Sequence, residues 1–194
     1  MPDTLERRDD APLSASKRSD AVSDATETLI EARGDNLVGR AVTINRPAGE
    51  LYAYWRDLTN LATFMDNVVS VTPIDDKRSH WVVKAPAGRI VEWDASITEE
   101  REGELIAWAS EEGADVPNSG RVEFRDAGAR GTVVIATILY DPPAGAIGKL
   151  IAKMFQREPA IQARRDLRRF KQLMETGEIA TSSRTRAQLA EEKD

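Results

Sequence analysis

The sequence predicts an α+β fold in which an antiparallel sheet of about seven strands packs around one long C-terminal helix. Between residues 68 and 140, short segments of alternating apolar and polar residues follow one another with polar turns between them, which is typical of an antiparallel meander. Asp141, Pro142 and Pro143 then end strand pairing, since proline cannot donate to a sheet ladder. Apolar residues recur at helical spacing beyond this point. A sheet that holds one terminal helix leaves space for a cavity between the two, where a ligand would bind.

The strand segments and two short helices follow in a clear order. Strands are predicted at residues 38–44, 68–74, 78–84, 89–99, 104–110, 120–125 and 131–140. A first helix is predicted to begin at Pro47, because proline suits the first helical position and Leu51 and Trp55 follow at helical spacing. A second is predicted over residues 60–64, with Asn60 as its cap.

The C-terminal helical region is predicted in two parts, residues 144–155 and a longer part that Pro159 begins. One face of the longer part carries small or apolar side chains, namely Ala160, Ala163, Leu167, Phe170 and Met174. Arginines and a lysine fill the other face. A solvated surface is the expected role of this basic face, and transient contact with a membrane surface is the alternative.

The domain organisation is one folded unit between two tails. Residues 1–36 and 177–194 contain few large apolar side chains, so they cannot bury enough surface to offset the entropy of the chain. We expect a flexible leader, a ligand-binding domain over residues 37–176 and a flexible tail. A domain of this size buries roughly two-thirds of the surface of its unfolded chain.

The composition excludes several classes of function. With 33 acidic and 27 basic residues the formal net charge is −6, which disfavours binding to nucleic acid. The absence of cysteine rules out thiolate catalysis and Cys-ligated metals, and a single histidine removes nearly all zinc and Ser-His-Asp chemistry. No phosphate-binding loop or metal-ligand pattern is present, so no cofactor and no metal are expected. Without an apolar run of ~20 residues or a secretory signal, the expected location is the cytoplasm.

The order of elements, together with a series of short motifs, resembles the START-like superfamily of helix-grip proteins, also called SRPBCC or Bet v 1-like. More narrowly it resembles the bacterial polyketide cyclase/dehydrase-type proteins that are grouped with the coenzyme Q-binding START domain. The residues that carry the resemblance lie at 81–84, 93–95, 106–110, 113–118, 120–124, 140–143 and 167–171. The resemblance spans residues 37–176. It implies a seven-stranded sheet curved around the last helix and a hydrophobic cavity beneath it, in a family that includes aromatic-ring cyclases and carriers of lipids and quinones.

Strand parity selects the residues expected to face this cavity. One face of residues 91–97 and one face of residues 106–110 are rich in tryptophan and aliphatic side chains, and residues 122–124 and 134–140 continue them. The predicted ligand-binding residues are Trp93, Trp108, Phe124, Val134, Ile138, Tyr140, Met154 and Phe170. Trp108 and Tyr140 are the strongest candidates, because each has a polar tip that could orient a ligand. For any one of these residues, simple packing in the core is the competing interpretation.

The polar candidates are expected to lie elsewhere. His80, Glu92 and Asp94 occupy the opposite strand faces, so a solvated surface explains them better than acid–base catalysis does. Asp115 and Asn118 fall in a loop over residues 111–119 that is expected at the cavity mouth, where turn formation is their predicted role. No catalytic residue is predicted.

The last strand also has apolar residues on its second face, at Val133, Ile135 and Leu139. A strand that is apolar on both faces is normally covered on both. A partner or second subunit, the N-terminal leader, and ordinary exposure of scattered side chains are all open explanations.

Three functions remain open from the sequence. The first is binding, with or without transport, of a small hydrophobic ligand such as a quinone, a lipid or a polyketide-like aromatic by a monomer or homodimer. The second is a cyclase or dehydratase that uses the same cavity, since positioning alone supplies much of a rate enhancement. The third is a protein-interaction module that uses the convex sheet face. An ionisable group inside the cavity would distinguish the second from the first.

Overall fold

The computed structural model describes residues 37–85, 88–140 and 159–179. Within them, seven strands form one antiparallel sheet. The strands are β1 (Leu37–Ile44), β2 (Val68–Pro73), β3 (Arg78–Lys84), β4 (Ile90–Arg101), β5 (Leu105–Ser110), β6 (Asn118–Asp126) and β7 (Thr132–Tyr140). The helices are α1 (Ala48–Arg56), α2 (Leu61–Phe64) and α3 (Pro159–Thr176), and short 3-10 turns occupy Leu58–Asn60 and Gly128–Arg130. The predicted α+β helix-grip fold is confirmed.

The sheet has the strand order β1-β7-β6-β5-β4-β3-β2. Strands β2 to β7 form a meander in chain order, and β1 pairs with β7 at the far edge. The segment that contains α1 and α2 therefore carries the chain from one edge of the sheet to the other. A bulge between Ile97 and Glu99 lets β4 continue its pairing with β5 as far as Arg101, two residues beyond the predicted end of the strand.

Helix α3 lies on the concave side of the sheet, next to the edge strand β1. Lys171 Nζ donates to the carbonyl oxygen of Thr43 at 2.7 Å, and Glu175 Oε1 accepts from the backbone N–H of Asn45 at 2.7 Å. Side chains of α3 thus satisfy backbone groups of an edge that would otherwise be open to another strand.

An aromatic cluster joins the helices to the sheet at one end of the concave face. The ring of Phe170 on α3 lies 4.8 Å from that of Phe64 and 5.1 Å from that of Trp55. Phe64, Trp55 and Phe170 are all buried. Rings that meet edge-on or tilted at these distances stabilise the fold beyond the free energy of burial. Packed side chains therefore fill this end of the concave face.

The N-terminal ends of the two short helices differ from the prediction. Pro47 is the residue before α1 and has an extended backbone, with ψ of 145°. Asn60 precedes α2, but its side chain makes no cap; it donates to the carbonyl oxygen of Tyr54 at 3.1 Å. The preceding 3-10 turn puts Asn60 in a helical conformation, from which its side chain cannot reach the N–H groups of α2.

The convex face of the sheet is divided in two. Over β3 and β4 it is polar and partly exposed, whereas over β7 and β1 a small apolar cluster contains Ala41, Val133 and Ile135. Ile135 has no exposed surface, so scattered exposure does not describe it. The predicted leader, the predicted helix over residues 144–155 and nearly all of the predicted tail lie outside the described residues.

Candidate functional site

A cavity of about 320 Å³ lies between the concave face of the sheet and helix α3. Strands β3 to β7 supply most of its wall, through Trp81, Val83, Trp93, Ala95, Ile97, Ile106, Trp108, Ala136, Ile138 and Tyr140. The helices and the segments next to them contribute Trp55, Leu58, Leu61, Met65, Val68, Ala163 and Leu167. Its volume is at the lower end of the range of small-molecule sites, about 300–1,000 Å³. The space suits a compact ligand.

Two tryptophans form a flat section of the wall. Trp81 and Trp93 are directly paired across β3 and β4, with ring centroids 6.1 Å apart and planes inclined by 8°. The indole N–H of Trp81 donates to the hydroxyl of Ser79 at 2.9 Å. The polar tip of Trp81 is therefore satisfied within the wall, and the wall presents ring surface to the cavity.

The position of a third tryptophan depends on a glycine in the neighbouring strand. Trp108 pairs directly with Gly120 across β5 and β6. A Cβ atom on residue 120 would lie 2.5 Å from Cζ2 of Trp108 and 2.8 Å from the carbonyl oxygen of Thr137. Only a residue without a side chain lets the indole lie close against the sheet, so Gly120 sets the position of Trp108.

Helix α1 is anchored beside the cavity by a buried tyrosine. The hydroxyl of Tyr52 donates to Glu100 at 2.5 Å, and Arg56 Nε donates to the same carboxylate. Burial, and then the hydrogen bond to Glu100, raise the pKa of Tyr52 to about 12. The hydrogen bond from Tyr52 lowers the pKa of Glu100. This network fixes α1 on β4 and so places Trp55 in the wall.

The polar side chains of the cavity include residues on α3 and at the ends of β6 and β7. Asp166 and Gln162 come from α3, and Asn118 and Tyr140 are directly paired residues of β6 and β7. The amide Nε2 of Gln162 lies 3.0 Å from Oδ1 and 3.2 Å from Oδ2 of Asp166. Asp166 Oδ1 also accepts from the backbone N–H of Asp66 at 3.4 Å. Asp166 is the ionisable carboxyl group among the described residues of the cavity wall.

The environment of Asp166 changes its acidity. Burial raises the pKa of Asp166 to about 6, and the charge of Asp66 adds to the rise, while the hydrogen bonds from Gln162 and Asp66 and the charge of Arg169 oppose it. Burial also raises the pKa of Tyr140, and the charge of Asp166 contributes. Both side chains are half-buried by accessible surface, which includes the surface facing the cavity. A carboxyl group with a pKa near neutrality inside a mostly apolar cavity is typical of a functional site.

The structure brings together four of the eight predicted ligand-binding residues. Trp93, Trp108, Ile138 and Tyr140 line the cavity. Phe124, Val134 and Phe170 are instead packed in the core, with exposed fractions of 4%, 0% and 0%. Met154 lies outside the described residues.

The three core residues lie on the same side as the cavity, but at the end of it that helix α1 covers. Phe124 has its ring 5.9 Å from that of Tyr52 and 6.3 Å from that of Trp55. Helix α1 fills this end of the concave face, so no space is left there for a ligand. Strand parity identifies a face and does not indicate which part of that face another element covers.

Asp166 was missed as a cavity residue, although the sequence contains a signal for it. On a helix, Ala163, Asp166, Leu167 and Phe170 are related by the i, i+3, i+4, i+7 spacing of one face. A single carboxylate within this apolar face is unusual, because a buried charge is costly unless it is paired.

Of the other polar candidates, His80, Glu92 and Asp94 lie where strand parity placed them, on the convex face outside the cavity. His80 Nδ1 is 2.7 Å from Asp94 Oδ1, and its Nε2 is 3.6 Å from Glu92 Oε2, on the partly exposed convex face. Asp115 Oδ2 accepts from the backbone N–H of Glu92 at 2.9 Å, which is a structural role in the loop. Asn118 was predicted in this loop, but it is the first residue of β6, paired with Tyr140, and it lines the cavity. Its side-chain amide donates to the carbonyl oxygen of Val116.

Neither a metal site nor a membrane-spanning helix is found in the described part of the chain. No group of three or more His, Cys, Asp or Glu side chains is placed there to hold a metal ion. Among the same residues, no helix has the length and apolar character needed to cross a membrane.

Comparison with known proteins identifies the family. The sequence model of the family described as polyketide cyclase/dehydrase and lipid transport matches residues 44–168. The chain belongs to this family. It is similar to the solved structure of DR_A0006 from Deinococcus radiodurans, with 44% identity over 74% of this chain and 100% of that one, and a TM-score of 0.62.

Two solved structures with lower sequence identity share the fold. The protein TTHA0849 from Thermus thermophilus is 23% identical over 70% of this chain and 94% of its own, with a TM-score of 0.60. The Zhui aromatase/cyclase from Streptomyces sp. R1128 is 16% identical over 74% of this chain and 98% of its own, with a TM-score of 0.59. No curated protein matches the chain.

Proposed function

We propose that this polyketide cyclase/dehydrase-type protein binds a small, mostly apolar molecule in the cavity between the sheet and α3. The observation that carries the proposal is an internal space walled by Trp81, Trp93 and Trp108, with polar groups gathered near Asp166. Native cavities with apolar walls and a few convergent polar groups are the usual sites of small-molecule binding. Membership in a family that includes lipid transport supports it.

The direct test of binding is truncation of Trp108 to alanine. Removing the indole deletes a large part of the wall, so affinity for a hydrophobic fluorescent probe should fall by about tenfold or more. Because Trp108 is half-buried, the loss in free energy of unfolding should be below the ~3–5 kcal/mol of a fully packed tryptophan.

Ile90→Ala is the matched control, because Ile90 is 47% exposed and lies outside the cavity wall. Fluorescence titration of both variants measures the effect. Equal affinities in Trp108→Ala and the unaltered protein would contradict the placement of the site. Native mass spectrometry of the purified protein would show whether a small molecule accompanies it.

A second candidate function, a cyclase or dehydratase, is favoured by Asp166. The carboxylate could remove a proton from the carbon next to a ligand carbonyl and return it to a departing hydroxyl group, which leaves as water. A base with a pKa of about 6 is largely ionised at neutral pH and still strong enough to accept a proton. The Zhui protein, which shares the fold, is an aromatase/cyclase.

Proton exchange tests this enzyme directly. The protein should accelerate exchange of deuterium from solvent into the acidic C–H positions of 2-tetralone, followed by NMR, and the rate should rise with pH through about 6. Asp166→Asn should abolish the acceleration, whereas His80→Gln, on the convex face, should leave it unchanged. Absence of exchange in the unaltered protein, together with tight binding of the probe, would leave the carrier as the function.

We further propose that the protein transports its ligand and contacts a membrane surface in doing so. Arg165 and Arg168 are exposed on α3 and suit contact with an anionic membrane surface. The head group of coenzyme Q, in its reduced quinol form, is one candidate among the flat hydrophobic ligands that such a carrier would take.

A further inference from the structure

We infer that the cavity selects ligands by a hydroxyl group: a compact, flat, mostly apolar ring system that donates a hydrogen bond to Asp166. This inference rests on the proposed function, since it names the chemical class of ligand for the same cavity. A ligand hydroxyl group would distinguish ring systems that the apolar walls alone would bind with similar affinity.

The shape of the wall favours a flat ring system. Trp81 and Trp93 present nearly parallel indoles, and Trp108 lies close against the backbone at Gly120. Flat aromatic surfaces pack well on such rings, in offset-stacked or edge-on arrangements. The volume of about 320 Å³ is small for a long acyl chain.

The position of the polar side chains gives the ligand an orientation. Asp166 and Gln162 project from α3, and Asn67 follows Asp66, whose N–H contacts Asp166. Tyr140 is close enough for the charge of Asp166 to raise its pKa. The polar part of a ligand would therefore lie toward α3 and the ends of β6 and β7.

The hydrogen bonds that Asp166 already makes determine which chemical group of a ligand its carboxylate can bind. An ionised carboxylate has about four acceptor positions and no donor. Gln162 and the N–H of Asp66 use two positions on Oδ1, and Gln162 uses one on Oδ2. The remaining position on Oδ2 needs a donor, because an oxygen with only lone pairs would be repelled.

The charged groups around Asp166 do not change its preference for a ligand that donates a hydrogen bond. Arg169 is the cation that acts on it, but Arg169 is paired with Asp66, and Asp66 is itself negative. A ligand carboxylate would meet two acidic groups and one cation. A quinone carbonyl or an ether would place an acceptor against an acceptor, whereas a phenol or a quinol would donate.

Three matched probes with one ring system test the inference at pH 7.5: 2-naphthol, 2-methoxynaphthalene and 2-naphthoate. Calorimetric titration of the full chain should show that 2-naphthol binds about tenfold or more tightly than 2-methoxynaphthalene, because a hydrogen bond to a charged group is stronger than a neutral one. The anion 2-naphthoate should bind most weakly.

The variant Asp166→Asn should reverse part of this order. The preference for 2-naphthol over 2-methoxynaphthalene should shrink to within about threefold, and 2-naphthoate should gain about tenfold in affinity. A gain of affinity cannot result from damage to the fold. Asp94→Asn makes the same chemical change on the convex face and should leave all three affinities unchanged.

Each outcome has a separate meaning. If the three probes bind the unaltered protein equally, or if Asp166→Asn leaves their ratios unchanged, the inference is overturned while the proposed function stands. If none of them binds while the hydrophobic fluorescent probe does, the inference is overturned and the proposed function stands; if the fluorescent probe does not bind either, both are overturned. Should Asp166→Asn fail to fold, the same ratio measured with the unaltered protein at pH 5, where Asp166 is mostly protonated, must drop toward one.

Discussion

At the scale of single residues, Asp166 carries a cost in stability. Its carboxyl group is held in the wall of an apolar cavity, where ionisation is disfavoured, although an uncharged amide would make similar hydrogen bonds there. Proteins commonly keep such destabilising groups where a binding or catalytic site needs them.

The pH dependence of folding should report this cost. Because the pKa of Asp166 in the folded protein (about 6) is above its ordinary value of 3.8, the folded protein keeps a proton that the unfolded chain releases between these pH values. Its contribution to stability is therefore fully present below about pH 4 and falls as pH rises to about 6.

The variant Asp166→Asn removes this titration. At pH 8 it should be more stable than the unaltered protein by on the order of 1–3 kcal/mol, and at pH 3.5 the difference should be close to zero. Urea unfolding at the two pH values measures it. A variant that is less stable at pH 8 would show that the ionised carboxylate is held by stronger hydrogen bonds than the structure indicates.

Gly120 is the second residue with a specific consequence. In Gly120→Ala the new methyl group would meet Trp108 and the backbone oxygen of Thr137, so both the tryptophan and the strand must shift. We expect a loss of about 1–3 kcal/mol in the free energy of unfolding and weaker probe binding.

Gly49→Ala is the control for Gly120→Ala. Gly49 lies in α1 with open space around it, so alanine there should stabilise the protein by up to ~1 kcal/mol. Thermal unfolding and fluorescence titration compare the two. Equal stabilities and affinities would mean that Trp108 readily adopts another position.

At the scale of elements, α3 closes the cavity and is attached at its middle and near its C-terminus. Arg169 is paired with Asp66 in the segment between α2 and β2, and Asp166 accepts from the N–H of Asp66. Near its C-terminus, Lys171 and Glu175 bind backbone groups of residues 43 and 45. The first attachment lies beside Met65 and Asn67, which line the cavity, so we expect it to affect access to that cavity.

Arg169→Gln should loosen the segment over residues 65–67. Loss of one partner of a partly buried ion pair leaves Asp66 without its cation, so faster hydrogen exchange at residues 65–68 and a loss of about 1 kcal/mol are expected. Arg168→Gln is the control, because Arg168 directly precedes Arg169 on the same helix and is exposed. Unchanged exchange in Arg169→Gln would show that Asp166 alone holds the segment.

At the scale of the whole molecule, most of the described core lies on the concave side. The main cluster connects α1, α2, α3 and the sheet, whereas the convex side contributes only the small cluster around Ala41 and Ile135. Stability should therefore reside in residues 37–179.

A chain trimmed to residues 35–178 tests this arrangement. It should unfold at nearly the same temperature as the full chain and bind the hydrophobic probe equally well. Calorimetry of the two chains provides the comparison. A midpoint lower by many degrees would show instead that the leader covers Ile135 and its neighbours.

The sequence by itself determined the order of elements and the face of each strand. Alternation along β4 separated Trp93 from Glu92 and Asp94, and proline and glycine marked the ends of elements, because period and turn chemistry are local properties of the chain. The same local reasoning placed His80 outside the cavity.

Only the tertiary structure decided which part of the concave face is cavity and which is core. Helix α1 fills the end at Phe124 and Val134, and α3 brings Asp166 to the other end. These outcomes depend on contacts between residues far apart in the chain, such as Asp166 with Asp66 and Tyr52 with Glu100. The pKa of Asp166 belongs to this second class, because burial, its largest cause, exists only when the helix has packed on the sheet.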